Sequence, residues 1–398
     1  MLKPHNDNYD VIIAGGGPAG ASAAIHLARG GVRVLLLEQK KFPRAKLCGE
    51  FISPECQTHF EKLGVAGAMI ASGPALLAET VFYSSKGHHV GVPSKWFGGR
   101  AALGLSRAVM DEVLLRCAQD NGVVVYEGAN ITEPILDGET VIGVRARIDG
   151  IHQDFRSALT IDATGRARIL SRKIIHANGH SKRPTLVAFK AHLKNTKVAP
   201  GACEIYFYPG GYGGLSTVEA GTSNLCFIIS AAHVKRCNSD PETVMRECVM
   251  KNRRAAQTLE TAEATSEWLS GSWDRFGRQS PSPAPGLLSV GDSASFIDPF
   301  TGSGMLMALE SGELVAQVIV NHQNGSFADI FADYAASYRR AFDSRLRICG
   351  LLRRAAFSPR LAELGIAICG ASERFRNRLA RATRAQAKSH NFLPHRLF

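Results

Sequence analysis

The run from Asp10 to Glu38 constrains the fold of this chain more than any other stretch. A short apolar strand at residues 11–14 breaks into the sequence GGGPAG, and an alanine-rich helix follows. The pair Gly30-Gly31 ends that helix, and a second apolar strand at residues 32–37 closes on Glu38. This order of elements, a strand, a glycine turn, a helix and a second strand that ends in an acid, predicts one mononucleotide-binding βαβ unit.

The glycines of this unit have separate predicted roles. Gly15 allows the tight turn, Gly17 lets the backbone approach a pyrophosphate, and Gly20 lets helix and strand pack closely. The free amides at the helix start then face the phosphates, aided by the helix dipole. Glu38 can accept hydrogen bonds from both hydroxyls of an adenosine ribose. The predicted nucleotide contacts of this unit are Gly15, Gly17, Pro18, Ala19, Gly20, Glu38 and Gln39.

The size and composition of the chain are those of an ordinary globular protein. It has 398 residues, of which 45% are hydrophobic and 21% charged, enough for a large core and two domains. No apolar run approaches the roughly 18 residues of a membrane helix, and no secretory signal precedes the first strand. Nine cysteines without CxxC pairs favour reduced thiols over disulfides or zinc. We therefore expect a cytoplasmic protein without a metal site.

The nucleotide pattern returns late in the chain. Residues 286–291 form another apolar strand that ends in a glycine, followed by Asp292. A second strand end so far from Glu38 suits a cofactor longer than NAD, with its adenosine at residues 15–38 and a ribityl chain at Asp292. The amides after Gly302 open another helix and can face the pyrimidine edge of an isoalloxazine ring. The sequence thus predicts FAD, bound by a domain that an inserted sheet divides.

This reasoning predicts an α/β fold, in which a Rossmann-like FAD-binding domain is interrupted by a β-sheet substrate domain and followed by a helical C-terminal region. The predicted segments are 1–75, 101–180 and 280–338 for the discontinuous FAD-binding domain, 76–100 and 181–279 for the substrate-binding sheet domain, and 339–398 for the basic helical region.

The net charge of +12 is concentrated in the C-terminal region. Residues 339–398 contain 13 Arg and one Lys against three acidic residues, a net charge of +11. Basic helices with an apolar stripe can lie on an anionic membrane, dock an acidic carrier protein, or cap the substrate domain with a solvated face. Nucleic acid is not an expected partner, because no recognised binding motif accompanies the charge. If these helices contact a membrane, we expect the protein to be peripheral at the inner membrane face.

Four motifs resemble those of the FAD-dependent oxidoreductases of the p-hydroxybenzoate hydroxylase superfamily, and most closely those of its geranylgeranyl reductase family. They are GGGPAG at 15–20 with Glu38, Arg107-x-x-x-Asp111, Ala163-Thr164-Gly165, and GDSASFIDP at 291–299 with TGSG at 301–304. The Trp-x-Trp-x-x-Ile-Pro signature of flavin halogenases is absent. The Asp-Gly of aromatic hydroxylases appears here as Thr164-Gly165, which weakens a hydroxylase assignment.

The resemblance also implies site residues. The run from Phe42 to Gly49 resembles the reductase branch, in which a Cys-Gly pair lies near the flavin ring, so Cys48 and Gly49 are the candidate catalytic residues. Cys48 is equally well read as a small packing residue. We expect Glu50 to pair with Lys46 at the surface rather than to donate a proton. The further cofactor contacts implied are Arg44, Cys48, Arg107, Thr164, Gly165, Gly291, Asp292, Pro299, Gly302, Ser303 and Gly304.

The activity implied by the resemblance is hydride transfer at a carbon–carbon double bond of an isoprenoid- or polyketide-like molecule. The alternatives are a monooxygenase that uses a C4a-hydroperoxyflavin and a cyclase that uses FAD without net redox change. The electron donor is open between NAD(P)H and a reduced carrier protein, because the sequence has no second GxGxxG. Several aromatic residues are candidates to line a pocket for the hydrophobic substrate, with about half of them expected to be core: Trp96, Phe97, Tyr206, Phe207, Tyr208 and Tyr212.

Overall fold

A computed structural model describes residues 9–174, 185–273, 276–322 and 326–384. The strands, in chain order, are β1 (Tyr9–Ala14), β2 (Val34–Glu38), β3 (Phe51–Ile52), β4 (Ala75–Leu77), β5 (Glu79–Tyr83), β6 (His89–Pro93), β7 (Ala102–Gly104), β8 (Val124–Glu127), β9 (Asn130–Asp137), β10 (Thr140–Ile148), β11 (Ile151–Asp162), β12 (Leu186–Lys194), β13 (Ala202–Tyr208), β14 (Gly211–Thr217), β15 (Ser223–Ser230), β16 (Glu263–Ala264), β17 (Leu269–Trp273), β18 (Gly277–Arg278), β19 (Leu287–Ser289) and β20 (Ser295–Phe296). The helices are α1 (Pro18–Arg29), α2 (Cys56–Leu63), α3 (Ala66–Ala71), α4 (Arg107–Asp120), α5 (Ile169–Ile174), α6 (Ala231–Arg236), α7 (Pro241–Glu247), α8 (Arg253–Thr258), α9 (Gly304–Asn321), α10 (Phe327–Ala356), α11 (Pro359–Ala371) and α12 (Glu373–Ala382).

The first sheet is the Rossmann-like one. Its parallel strands lie in the order β8, β2, β1, β11 and β19, so the predicted late strand joins the sheet beside β11. The first half of β11 instead pairs antiparallel with β10, which forms a meander with β9. Every residue of β2 is buried, as expected for a strand covered on both faces. The carboxyl ends of β1, β2, β11 and β19 therefore meet at one edge of the sheet.

Helices α1 and α9 pack closely on this sheet. A Cβ at Gly20 would lie 1.9 Å from the carbonyl oxygen of Gly15, and a Cβ at Gly312 would lie 2.5 Å from that of Ala19. Only glycine allows either approach. The helix that carries the glycine turn and the helix that follows residue 303 are thus held side by side, with both N-termini at the same sheet edge.

The second sheet has the strand order β16, β12, β15, β14, β13, β5 and β6, with β17 beside β12. Strands from residues 79–93 therefore pair with strands from residues 186–273. Side chains of β13 alternate between the two faces. Tyr206 and Tyr208 pack with α7 residues on one face, whereas Phe207 packs with residues of α10 and α11 on the other.

Two helical stretches are interrupted. The residues before α2 are not helical, because Phe51 and Ile52 pair with β7 as a short strand. Residues 241–258 form two helices, α7 and α8, rather than one. Helix α7 ends at Glu247, and Asn252 caps the start of α8, where its side-chain oxygen accepts hydrogen bonds from two backbone amides.

The C-terminal region is helical as far as the structure describes it. The predicted boundary between the FAD-binding domain and the C-terminal region, after residue 338, lies inside α10. The buried side chains of Tyr334, Tyr338 and Phe342 on this helix belong to the same hydrophobic core as α9. Helices α11 and α12 then lie over the second sheet. Residues 385–398, which include Lys388 and Arg396, are outside the described part of the chain.

Candidate functional site

The start of α1 forms a cationic cradle around Gly17. A Cβ at Gly17 would lie 3.8 Å from Nη2 of Arg44 and 3.9 Å from Nη2 of Arg107. Pro18 occupies the first turn of the helix, where its missing N–H costs nothing. Two guanidinium groups and a helix N-terminus therefore point at the same small space, which suits a pyrophosphate.

Both arginines are held by one buried carboxylate. Arg107 donates from Nε and Nη2 to the two carboxylate oxygens of Asp111, at 2.7 Å each, and Nη1 of Arg44 lies 3.2 Å from the same carboxylate. Burial alone would lower the pKa of Arg107, but the negative charge of Asp111 outweighs it and raises the pKa. Within the described residues, the buried Nε and Nη1 of Arg44 have no hydrogen-bond partner. Arg44 is thus paired with Asp111 and, at 3.6 Å, with Glu38, and its guanidinium can still donate hydrogen bonds to a bound phosphate group.

Glu38 contributes to the same cradle from the end of β2. Its Oε2 accepts from the backbone amide of Gly16 at 2.8 Å, and its Oε1 accepts from that of Lys40 at 2.9 Å. The carboxylate is 7% exposed. It fixes the glycine turn, and Gln39 follows it as an exposed residue; the contact of Glu38 with a ribose stays a prediction.

Thr164 and Gly165 lie at the end of β11, beside an aspartate that the sequence analysis did not single out. Asp162 is fully buried and accepts from the amide and hydroxyl of Thr164 and from the hydroxyl of Ser293. Ser293 also donates to the carbonyl of Gly165. Asp162 thus ties the end of β11 to the turn that carries Asp292. In the sequence, the one indication of a role for Asp162 is its position directly before Ala163-Thr164-Gly165.

Gly291 and Asp292 follow β19. Gly291 has a φ of +56° and donates its amide to Ser311 of α9. Burial raises the pKa of Asp292, against the opposing influence of Arg166 and Arg107. Among the described residues, we find no hydrogen-bond donor to its carboxylate. An aspartate of this kind fits a ribityl hydroxyl, as the sequence predicted.

The turn after Asp298 leads into α9. Asp298 accepts from the hydroxyl of Tyr212 and the amide of Phe300. Gly302 follows with a φ of +62°, and the hydroxyl of Ser303 donates to that of Thr301. Gly304 then begins α9, and Pro299 lies on the exposed side of the turn. Thr301 and Gly302, just before this helix start, line the cavity described below.

Cys48 and Gly49 lie opposite, between the cradle and the second sheet. The amide of Glu50 donates to Sγ of Cys48 at 3.4 Å, and the side chain of Asn224 donates to the Cys48 carbonyl at 3.2 Å. The side chain of Arg107 is also close enough to Cys48 to interact electrostatically with its sulfur. The structure thus brings the predicted Cys-Gly pair next to the predicted phosphate residues.

The expected surface pairing of Glu50 with Lys46 is wrong. Glu50 is 1% exposed, and it pairs with Nζ of Lys190 at 3.2 Å and with Nε2 of His192 at 2.6 Å. Burial alone would raise its pKa, but the hydrogen bond to His192 and the charge of Lys190 outweigh it and lower the pKa. The amide of Arg107 donates to the same carboxylate. Glu50 therefore fastens the Cys48 turn to β12, a link between residues 140 positions apart that no sequence pattern marks.

An apolar cavity of about 250 Å³ adjoins these turns. It is bounded by Gly49 and Phe51 on one side, by Phe300 and Gly302 on another, and by the second sheet and the C-terminal helices. Of the aromatic candidates, Phe97, Phe207 and Tyr212 line the cavity, whereas Tyr206 and Tyr208 belong to the core on the far face of the sheet.

The C-terminal helices close this cavity. Leu352 and Ala355 of α10, Ile366 of α11 and Leu379 of α12 all line it, while Leu364 and other apolar residues of the same helices are exposed. In the part of the chain that the structure describes, no helix is both long and apolar enough to cross a membrane.

The Rossmann-like sheet, the cationic cradle and the second strand end with Asp292 define an FAD-binding flavoprotein with a divided cofactor domain. The comparison with known families agrees: the family described as "FAD binding domain" matches residues 8–346. The chain belongs to this family.

Known proteins similar to this chain include halogenases and reductases. It is 28% identical over 326 residues to a tryptophan 2-halogenase of Chondromyces crocatus, an alignment that covers 77% of this chain and 60% of the halogenase. It is 26% identical to a digeranylgeranylglycerophospholipid reductase of Methanosarcina mazei, covering 78% of this chain and 75% of the reductase. The solved structure of a flavin-dependent brominase has a TM-score of 0.80 at 24% identity, covering 95% of this chain and 93% of the brominase. The chain thus spans less than two thirds of the halogenase's length, and the brominase supports the fold alone.

Proposed function

We propose that this protein is an FAD-dependent reductase that adds a hydride and a proton across a carbon–carbon double bond of a hydrophobic, isoprenoid- or polyketide-like substrate. The observation that carries the proposal is the apolar cavity between Gly49 and Gly302. These glycines lie in the two turns expected to flank the flavin ring, so a substrate in the cavity would meet the ring directly. FAD, when bound, supplies the two-electron hydride carrier.

The lining of the cavity supports this assignment. Apart from two arginines at one wall, it consists largely of hydrocarbon side chains and of the thiols of Cys203, Cys226 and Cys369. Burial raises the pKa of the Cys203 thiol to about 12, so that thiol stays neutral and apolar. Such a lining favours an extended hydrocarbon and excludes water from the reacting atoms.

The residues around the cavity have positioning roles in this proposal. Glu50, fixed by Lys190 and His192, holds the Cys48–Gly49 turn in place. Asp298 and the Tyr212 hydroxyl hold the opposite turn before Gly302. Two rigid turns would hold the hydride-donating nitrogen of the flavin and the acceptor carbon of the substrate in register, and an enzyme gains much of its rate from such proximity. The electron donor in this proposal is NAD(P)H or a reduced carrier protein.

The similarity to the tryptophan 2-halogenase makes halogenation the second candidate. One experiment separates the two. The holoprotein is reduced anaerobically with light and EDTA as the electron donor, mixed with geranylgeranyl phosphate, and followed by flavin absorbance and product mass. A gain of two hydrogen atoms in the product, with flavin reoxidation that needs no oxygen, supports the reductase.

A parallel aerobic reaction with bromide and tryptophan tests the alternative. A brominated product, together with no anaerobic reoxidation by any of several polyprenyl substrates, would overturn the reductase proposal. An oxygenated product in the bromide-free aerobic control would instead indicate the monooxygenase predicted as an alternative from the sequence.

A further inference from the structure

Arg384 occupies an unusual position in the cavity wall. It lies in the turn that follows α12, where its amide donates to the carbonyl of Arg381. Its side chain lines the apolar cavity although the residue is only 8% exposed. The guanidinium carbon lies 4.9 Å from the centre of the Phe97 ring. A full positive charge is thus buried against a surface that consists mainly of carbon.

Among the described residues, the acceptor and the carboxylate nearest to the Arg384 guanidinium lie at long distances. Nη1 reaches the carbonyl of Gly302 only at 3.4 Å and the carboxylate of Glu55 only at 3.8 Å. Its Nε is buried with no hydrogen-bond partner among the described residues. Buried guanidinium groups are normally paired and hydrogen-bonded, because leaving a desolvated charge without partners is costly.

A neighbouring arginine has a much closer counter-charge. Nη1 of Arg345, which is almost as buried, lies 2.7 Å from the carboxylate of Glu310. Arg345 also repels Arg384, and together with burial it lowers the pKa of Arg384, against the opposing pull of Glu55. The region around Arg384 therefore favours one further negative charge.

A second cation lies along the same wall. Arg376 of α12 also lines the cavity, where its guanidinium carbon lies 5.5 Å from the centre of the Trp96 ring. Its Nη1 donates to the carbonyl of Cys369, but its buried Nε has no partner within the described residues. Both arginines come from α12 and its following turn, so the cationic part of the cavity is built by one short segment.

We propose that Arg384, assisted by Arg376, forms an anion-binding subsite, and that the substrate is an amphiphile whose hydrocarbon body fills the cavity while its carboxylate or phosphate pairs with Arg384. This inference rests on the proposed function, since it takes the cavity as the substrate site. The planar guanidinium fork matches carboxylate and phosphate oxygens with two parallel hydrogen bonds.

The test is a binding measurement that needs no turnover. Calorimetry on the oxidised holoprotein compares octanoate, octyl phosphate and 1-octanol, which share one hydrocarbon chain. We expect at least one anion to bind about tenfold or more tightly than the alcohol, as a charge-assisted hydrogen bond would give. The stronger of the two anions identifies the head group as carboxylate or phosphate.

Two variants locate the effect. Arg384→Met should abolish the preference for the anion and leave octanol affinity unchanged. The control Arg378→Met, an exposed arginine of the same helix, should keep the preference. If Arg384→Met folds poorly, Arg384→Lys serves instead: it keeps a cation without the fork, so the preference should fall but not vanish.

Three results would overturn the proposal. They are equal binding of all three probes by the wild-type protein, retention of the anion preference in Arg384→Met, and a shifted flavin reduction potential in that variant with the preference intact. The last result would assign Arg384 to the flavin. Because none of these measurements involves substrate reduction, failure of the reductase proposal is observed separately.

Discussion

Arg107 donates two hydrogen bonds of 2.7 Å to the carboxylate of Asp111, one helical turn further along α4. Asp111 is fully buried, so this pair does not serve solubility. Together with the approach of Arg44 to the same carboxylate, it fixes two guanidinium groups beside Gly17. Asp111 positions the two arginines of the cradle. We do not expect it to contact a phosphate itself, because the negative charges of the carboxylate and the phosphate repel each other.

The first prediction concerns this positioning role. Asp111→Asn keeps the shape of the side chain but removes the charge that holds both arginines, so FAD affinity should fall by about 1.5–3 kcal/mol. Fluorescence titration of the apoprotein with FAD measures the loss. The neighbouring Glu112→Gln, on the outer side of α4, should bind as the wild type does. Equal affinity in both variants would show that Asp111 does not organise the site.

The second prediction concerns Cys48. Its sulfur accepts the Glu50 amide and lies beside the predicted ring position, so Cys48→Ser should retain one FAD per chain. Reoxidation of the reduced flavin by substrate should slow by about tenfold or more, since misplacing reacting groups by about 1 Å costs on the order of 100-fold. The control Cys117→Ser changes a thiol that bonds the Leu63 carbonyl instead. A wild-type rate in Cys48→Ser would make Cys48 a packing residue.

The third prediction concerns stability against pH. Glu313 of α9 pairs with His59 at 2.9 Å and Lys62 at 2.7 Å on α2. Burial alone would raise its pKa, but these partners lower it from 4.5 to about 2. A folded-state pKa below the ordinary value adds stability above that value, which is lost as the pH falls toward 2.

Glu313→Gln should therefore reduce the free energy of unfolding at pH 7 by about 3 kcal/mol, the equivalent of that pKa depression. The difference from wild type should shrink steadily between pH 5 and pH 2, measured as urea denaturation at several pH values. Glu139→Gln, at an exposed position, provides the control. A difference that is independent of pH would mean that Glu313 contributes through packing rather than charge.

The fourth prediction concerns the outer face of the C-terminal helices. Five apolar side chains there are between 46% and 65% exposed, and arginines surround them. We expect the protein to sediment with anionic lipid vesicles at low salt and much less at high salt, because apolar burial and charge attraction act together. The exposed apolar residues are Leu351, Leu361, Leu364, Ile368 and Phe375, of which Leu361 also borders the cavity.

Charge reversal at Arg374, Arg378 and Arg381 should abolish this sedimentation. The matched control reverses three exposed cations elsewhere on the protein, Arg147, Arg156 and Lys235. If the unchanged protein stays in the supernatant at low salt, membrane contact is excluded, and pull-down by an acidic carrier protein becomes the next test of this surface.

The amino-acid sequence is sufficient to predict the nucleotide-binding unit, the return of its pattern at Asp292 and the division of the cofactor domain by an inserted sheet. These follow from local spacing: a glycine turn between an apolar strand and a helix has few conformations, and its phosphate-facing amides are set by the backbone. Arg44 and Arg107 were expected near the phosphates only through the resemblance, because local spacing does not bring separate segments of the chain to Gly17.

The construction of the cavity, in contrast, depends on long-range packing that the sequence does not reveal. Glu50 looked like a surface residue because Lys46 is near it in the chain, yet it pairs with Lys190 and His192 on a distant strand. Arg384 looked like one more charge of a basic tail, yet it is buried in the cavity wall. Burial and ion pairing depend on how the two sheets and the C-terminal helices pack against one another, and that packing joins residues whose separation along the chain carries no pattern.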